Sequence, residues 1–209
     1  MFKYLRHFNP VMKILALSDV HGDKRLMQEM AQKASLEKVD LVILAGDLVD
    51  HHGSMEGIVG PFRAKGLEVG VIPGNHEGMA EVGFAIEKYG AKDLHGYILK
   101  KGDIGIFGCG YGNIGIHQIN DKDVFDTLKR THDSLSNIKK KIMVTHTHPS
   151  NSTLELGIFP GSKGVRKAIE HFQPDVHICG HVHESAGIEE IIGKTRVMNV
   201  GRKGKIFEI

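Results

Sequence analysis

The stretch Val11-Met12-Lys13-Ile14-Leu15-Ala16-Leu17-Ser18-Asp19-Val20-His21-Gly22 decides the fold. Its apolar run, from Val11 to Leu17, has the length of a buried strand and stops at a hydroxyl. An acid and an imidazole then follow two positions apart. In extended backbone such a pair projects to one side, so Asp19 and His21 can grip the same ion. The same order recurs downstream. Val39 to Ala45 runs into Gly46-Asp47-Leu48-Val49-Asp50, and Leu67 to Ile72 into Gly74-Asn75-His76-Glu77. Ile142 to Thr145 runs into His146, and Val176 to Cys179 into Gly180-His181-Val182-His183. Sheets of α/β proteins place their ligands just outside the carboxyl ends of the strands, which is where these groups stand.

Between the strands, apolar residues follow a helical period over Lys24 to Leu36, near Ser54 to Lys65, and over Glu77 to Tyr89, Lys122 to Ile138 and Lys163 to Phe172. This alternation predicts an α/β fold. Leu94 to Phe107 reads as shorter strands joined by Gly-rich turns. Ile188 to Ile192, Thr195 to Val200 and Lys205 to Ile209, separated by Gly-Lys and Gly-Arg turns, read as a β-meander. The chain is expected to begin as βαβα and to finish as mostly β.

At 209 residues, 41% hydrophobic and 25% charged, the chain is expected to form one domain over 1–209, with 1–10 as a loose extension. A formal charge of +2 argues neither for nor against nucleic acid, but no basic stripe or appended domain appears along the chain, so a nucleic-acid partner is not expected. The polar start, with Lys3, Arg6 and His7, lacks the apolar core of a secretory signal, and no uncharged run approaches the roughly 20 residues that span a bilayer. Cys109 and Cys179 show no CxxC spacing and read as small buried side chains. The expectation is a cytoplasmic protein without a membrane partner; oligomeric state is not legible.

Taken singly, each ligand-type motif has a bland explanation, since Asp after a strand is often a helix cap and DxH arises by chance. Taken jointly, at successive strand ends, the bland reading fails. A carboxylate, amide and imidazole set without thiolate suits Mn²⁺, Fe or Zn²⁺ and matches Ca²⁺ poorly. Asp19, His21, Asp47, Asn75, His146, His181 and His183 are more ligands than one tetrahedral ion needs, so two divalent ions are expected, Mn²⁺ first among them.

The series D-x-H, GD-x-x-D, GNH-E, H and GH-x-H resembles that of the calcineurin-like metallophosphoesterases, and it spans residues 19 to 183. The resemblance implies a four-layer α-β-β-α sandwich of two mixed β-sheets flanked by helices, with the metals at its mouth. It implies that Asp19, His21, Asp47 and His183 hold one ion, that Asp47, Asn75, His146 and His181 hold the other, and that Asp47 bridges them. Two ions about 3.5–4 Å apart can lower the pKa of a bridging water, whose hydroxide then attacks a phosphate ester. His76 is then expected as the general acid for the leaving alkoxide, with Asp50 on the far ring nitrogen to orient it. The substrate is read as a small-molecule phosphodiester, or a small phosphomonoester.

Departures from the family's branches narrow this reading. His51 stands where protein Ser/Thr phosphatases place arginine after GDxxD, and Asp50 where purple acid phosphatases place a ligating tyrosine. A DNA nuclease of the same superfold and a non-catalytic protein-interaction scaffold are the alternatives. His148 competes with His146 for the ligand role or contacts substrate; His146 is preferred, as it directly follows the apolar run. His51, Tyr111 and Asn113 are candidate substrate contacts, and His52 a loop residue. His7, His95, His117, His132, His171 and His177 read as packing or surface residues. The formal GxGxxG beginning at Gly110 reads as a mobile rim loop, since no helix starts on its last glycine. Ser162, in Gly161-Ser162-Lys163, reads as a helix N-cap ahead of a phosphate cradle.

Overall fold

The computed structural model describes residues 11–51, 53–157 and 159–209; the expected extension at 1–10, His7 included, and His52 lie outside them. Strands β1 (Lys13–Leu17), β2 (Leu41–Ala45) and β3 (Glu68–Ile72) run parallel, connected by α1 (Lys24–Leu36) and α2 (Gly60–Arg63). Helix α3 (Met79–Tyr89) leads to the short β4 (Lys92–Asp93), which pairs with β3. A second sheet is built from β5 (Ile98–Lys101), β6 (Ile104–Cys109), β7 (Lys140–Thr145), β8 (Val176–Cys179), β9 (Glu189–Ile192) and β10 (Thr195–Asn199). Helix α4 (Asp121–Asp133) connects β6 to β7 and α5 (Lys163–Phe172) connects β7 to β8. The last strand, β11 (Lys205–Glu208), completes the first sheet in the order β11-β1-β2-β3-β4, and the second has the order β5-β6-β7-β8-β10-β9.

Side-chain alternation sorts the core into three layers. Ile14, Ala16, Leu41 and Ile43 face the second sheet and meet Ile106, Ile142, Val144 and Ile178. Leu15, Leu17, Val42 and Leu44 point the other way, onto Met27, Ala31 and Phe62 from the helices. Met143 and Val197 face outward onto Leu128, Ala168 and Ile169 of α4 and α5. Both faces of each central strand are dry, which is why those strands read as continuous apolar runs. The result is the α-β-β-α sandwich of two mixed sheets, as expected.

Three segments differ from expectation. Only the four residues of α2 are helical within Ser54 to Lys65, because Gly57, in left-handed backbone at φ +80°, turns the chain before a helix can run on. Helix α4 ends at Asp133 rather than Ile138. The C-terminal strands form no meander. β9 and β10 pair antiparallel and β10 joins β8 in parallel, but β11 crosses to the first sheet and pairs antiparallel with β1, Ile14 opposite Phe207. Burial of Phe207 between the sheets drives the crossing, and the left-handed Gly201 and Gly204 turn the chain toward it.

Candidate metal centre

Three strands of the first sheet and two of the second end at one mouth, where their loops are stitched together. Asp19 N–H donates to the Gly46 carbonyl at 3.0 Å and His21 N–H to the Asp47 carbonyl at 3.0 Å. Across the sheets, His146 Nδ1 lies 2.9 Å from the Ala45 carbonyl, so that nitrogen carries the proton and Nε2 is free to bind. Asp19 accepts from Ser18 Oγ at 2.5 Å and from the His181 N–H at 3.0 Å.

These anchors gather the ligand-type side chains into adjoining clusters, Asp19 with His21 and His183, and Asp47 with His146 and His181, while His21 with Asp50 and His76 forms a third, more exposed group. Their donor atoms stand at coordination spacing. Two nitrogens about 2.0–2.1 Å from one tetrahedral ion are roughly 3.3 Å apart. His21 Nε2 is 3.2 Å from His183 Nε2, His181 Nδ1 is 3.2 Å from His146 Nε2, and Asp47 Oδ2 is 3.3 Å from His146 Nε2. Asn75 Oδ1 joins the second cluster, 3.1 Å from His146 Nε2. Imidazole nitrogens at such separations need a proton or a shared cation between them, so the donor set fits a pair of divalent ions.

The electrostatics agree. Burial works to depress His146, yet the Asp47 carboxylate beside it, reinforced by Asp19, lifts it to about 9. Burial likewise opposes ionisation of Asp47, but the charge of His146 holds its carboxyl well below the usual range. His181 is pushed down to about 4, by burial and then by His146. The two buried acids, Asp19 and Asp47, thus favour positive charge on His146, which in turn disfavours it on His181.

Backbone strain and missing Cβ atoms make this convergence possible. Asp19, His21, Asp47 and His181 all hold left-handed backbone, with φ of 56°, 49°, 52° and 74°. Gly74 and Gly180 are needed for close approach. A Cβ on Gly74 would lie 2.1 Å from Asp47 Oδ1, and one on Gly180 would lie 2.3 Å from Ser18 Oγ and 2.6 Å from Asp19 Oδ2.

Asp50 departs from its expected partner. Its Oδ1 is 2.8 Å from His21 Nδ1 and 3.8 Å from His76 Nδ1, outside hydrogen-bonding range. The carboxylate therefore backs the imidazole of a candidate ligand. His76 is half-exposed, its Nε2 3.8 Å from Asp47 Oδ2 and its backbone N–H donating to Asp47 Oδ1 at 3.1 Å. Its ring meets that of His21 edge-on at 4.9 Å.

His148 is fully buried, its ring stacked on His181 at 6.4 Å and its Nε2 3.2 Å from the Phe159 carbonyl, so it lacks the open edge that substrate contact requires. Asn113 Nδ2 donates to the Pro160 carbonyl at 2.7 Å, clasping two rim loops instead of presenting its amide outward. Tyr111 is half-buried between His95 and His117, and His51 sits exposed in the turn after Asp50. Ser162 caps α5 by accepting from the Val165 N–H, while Asp121 Oδ1 takes up the Gly164 N–H. The Gly-rich loop presses on the centre, because Cβ atoms on Gly112 and Gly115 would fall 2.8 Å and 2.6 Å from atoms of Asn75.

Glu77 was legible as part of the motif but not as a structural clasp. Its Oε1 accepts from the Leu48 N–H at 3.1 Å and the Gly74 N–H at 3.2 Å, tying two ligand loops together. Burial, then the nearby Asp47 charge, raises its carboxyl to about 7. The signal available was an acid directly after GNH where α3 would otherwise begin.

A two-sheet sandwich that delivers carboxylate, amide and imidazole donors from five strand ends into paired clusters defines a metallophosphoesterase centre. The family model for calcineurin-like phosphoesterases matches residues 12–185, and the chain belongs to that family, which is dinuclear metal-dependent. An uncharacterized protein of Methanocaldococcus jannaschii is 27% identical over 205 residues, covering 92% of this chain and 89% of its own. The crystal structure of TT1561 from Thermus thermophilus superposes with a TM-score of 0.76 at 17% identity, covering 95% of this chain and 99% of the other. A dimetal phosphatase from Danio rerio superposes with a TM-score of 0.65 at 14% identity, covering 91% and 87%. No helix among the described residues is long and apolar enough to cross a membrane, and both cysteines are free and buried.

Proposed function

We propose that the chain hydrolyses phosphodiesters, and small phosphomonoesters at the same centre. The observation that carries this reading is the coordination spacing of the two adjoining clusters, Asp19/His21/His183 and Asp47/His146/His181. Asp19, His21, Asp47 and His183 would hold one ion, and Asp47, Asn75, His146 and His181 the other. Asp47 is read as shared because its carboxylate lies against His146 while its charge also bears on Asp19. Bound there, divalent ions, Mn²⁺ foremost, supply Lewis acidity that activates water and neutralises phosphoryl charge.

The chain's own residues do the rest. His146 is held by the Ala45 carbonyl with Nε2 turned inward, and Asp50 holds His21 in the same sense. Water oxygen bonds to phosphorus and its proton passes to solvent, the P–O bond to the leaving alkoxide breaks, and His76, whose Nε2 lies 3.8 Å from Asp47 Oδ2, gives that alkoxide its proton.

The test is a rate panel on mono- and diesters with Mn²⁺, Fe or Zn²⁺ added to stripped protein. Turnover of aryl phosphodiesters is expected, and its absence with every metal would refute the reading in favour of a scaffold. In His76→Ala, loss of activity should be steepest on poor leaving groups, with metal content unchanged.

A further inference from the structure

Among the described residues, five of the ten large apolar side chains that stay exposed, Met79, Ile114, Ile116, Leu156 and Phe159, belong to segments bordering the metal centre. Their backbones place them there. The Gly112–Gly115 turn packs on Asn75, the His117 N–H donates to the Asn75 carbonyl at 3.1 Å, and Asn113 clasps the loop to Pro160. His148, stacked under His181, reaches the Phe159 carbonyl, and Met79 opens α3 four positions after Asn75. Such a concentration of exposed apolar side chains marks a contact surface.

Charge decides what it contacts. Residues 18–23, 46–55, 73–79, 110–120, 145–162 and 180–186, the loops that carry or touch the ligands, contain no lysine or arginine. Arg202, on the neighbouring β10–β11 loop, is committed to Asp23 at 2.6 Å. Glu155 is consumed by the N–H groups of Asn151 and Gly161. A polyanionic arm, whether nucleic acid or polyphosphate, meets no lysine or arginine on these loops, the nearest in sequence being Lys24 and Lys163, with Lys203 beside Arg202 on the neighbouring loop, whereas an alkyl or aryl arm meets apolar surface.

We propose that the substrate is a phosphate ester with an uncharged apolar arm, which lies on the rim formed by Met79, Ile114, Ile116, Leu156 and Phe159 while its phosphoryl group sits at the metal centre. This rests on the phosphoesterase reading above.

Calorimetric affinities of the Mn²⁺-loaded full chain for methyl- and hexylphosphonate test the rim without requiring turnover. Hydrolysis of p-nitrophenyl methyl and p-nitrophenyl hexyl phosphate, which share a leaving group, tests it in parallel. Hexylphosphonate should bind about tenfold more tightly or better, and kcat/KM should rise in the same ratio. The paired variant Ile114→Ser/Ile116→Ser, and separately Phe159→Ser, should bring the ratio toward one. Ile191→Ser, exposed on β9 away from the centre, should leave it unchanged. Equal binding of the two phosphonates, or a ratio that survives the rim variants, would overturn the proposal even if both esters are cleaved. A dimer that dissociates in the paired variant, with no chain-length effect, would overturn it too by assigning the rim to a second copy. A chain-length effect on binding without hydrolysis would uphold the rim and sink the hydrolytic reading alone.

Discussion

A carboxylate 2.8 Å from one nitrogen of an imidazole fixes which nitrogen keeps its proton and raises the basicity of the other. Asp50 does this for His21, so Asp50→Asn should weaken Mn²⁺ binding on the order of 10–100-fold. Metal titration checks this, and activity should return at high Mn²⁺. Had Asp50 served His76, the loss would instead fall on poor leaving groups at unchanged metal affinity. His177 offers a different test, of stability. It is fully buried, its Nε2 2.8 Å from Thr145 Oγ1 and its Nδ1 without a partner, and burial, then His148, pushes its pKa from 6.5 to about 3. The unfolded chain therefore binds a proton between those values that the folded chain refuses. The stabilisation is complete above pH 6.5 and is lost as pH falls through the window, by up to about 1.4 kcal/mol per pH unit. His177→Gln, which keeps a donor toward Thr145, should flatten that difference in urea unfolding measured from pH 7 to pH 4.

At the scale of elements, the ligand loops work because strand ends bring backbone within contact of neighbouring side chains. Gly180 lets the β8 end lie against Ser18 and Asp19, so Gly180→Ala must push the two sheets' loops apart. A loss of about 1–3 kcal/mol is expected, with weakened binding at the Asp19, His21 and His183 cluster, read by thermal melting and metal stoichiometry. Leu156 should behave oppositely. Leu156→Asn tolerates the left-handed backbone better and should stabilise the fold by about 1 kcal/mol in melting experiments, at the cost of hexylphosphonate affinity. A buried parallel strand is apolar on both faces and ends abruptly, so β1, β2, β3, β7 and β8 and the polar groups beyond them were legible from the chain alone. The segment near Ser54 stays mostly non-helical because apolar spacing says nothing of the left-handed turn that Gly57 makes. The ring that Asp50 chooses depends on angstrom differences between His21 and His76, which spacing along the chain does not encode. The role of Glu77 was hidden for the same reason: a clasp between loops is a property of two loops, not of one motif.

Across the whole molecule, the two sheets share one apolar layer, and the metal centre sits where they meet. The candidate ligands are divided between the sheets, since Asp47 and Asn75 come from one and His146 and His181 from the other. The crossing strand β11 is the test of this coupling. Its Phe207 is opposite Ile14 and lies in the shared layer with Ile142, Val176 and Met198 of the second sheet. Removing that ring should cost about 3–5 kcal/mol, the usual range for Phe to Ala in a core. If the sandwich unfolds as one cooperative unit, Phe207→Ala should lower the urea midpoint equally for Tyr89, beside the first sheet, and Tyr111, at the rim of the second. Tyrosine fluorescence in a Tyr4→Phe/Tyr97→Phe background that also lacks either Tyr89 or Tyr111 separates the two probes. Bound Mn²⁺ should shift both midpoints upward together, because a ligand of the folded state stabilises the whole cooperative unit. Midpoints that part in Phe207→Ala, or a metal-induced shift confined to one probe, would mean that the sheets fold separately and that the centre assembles only after they dock.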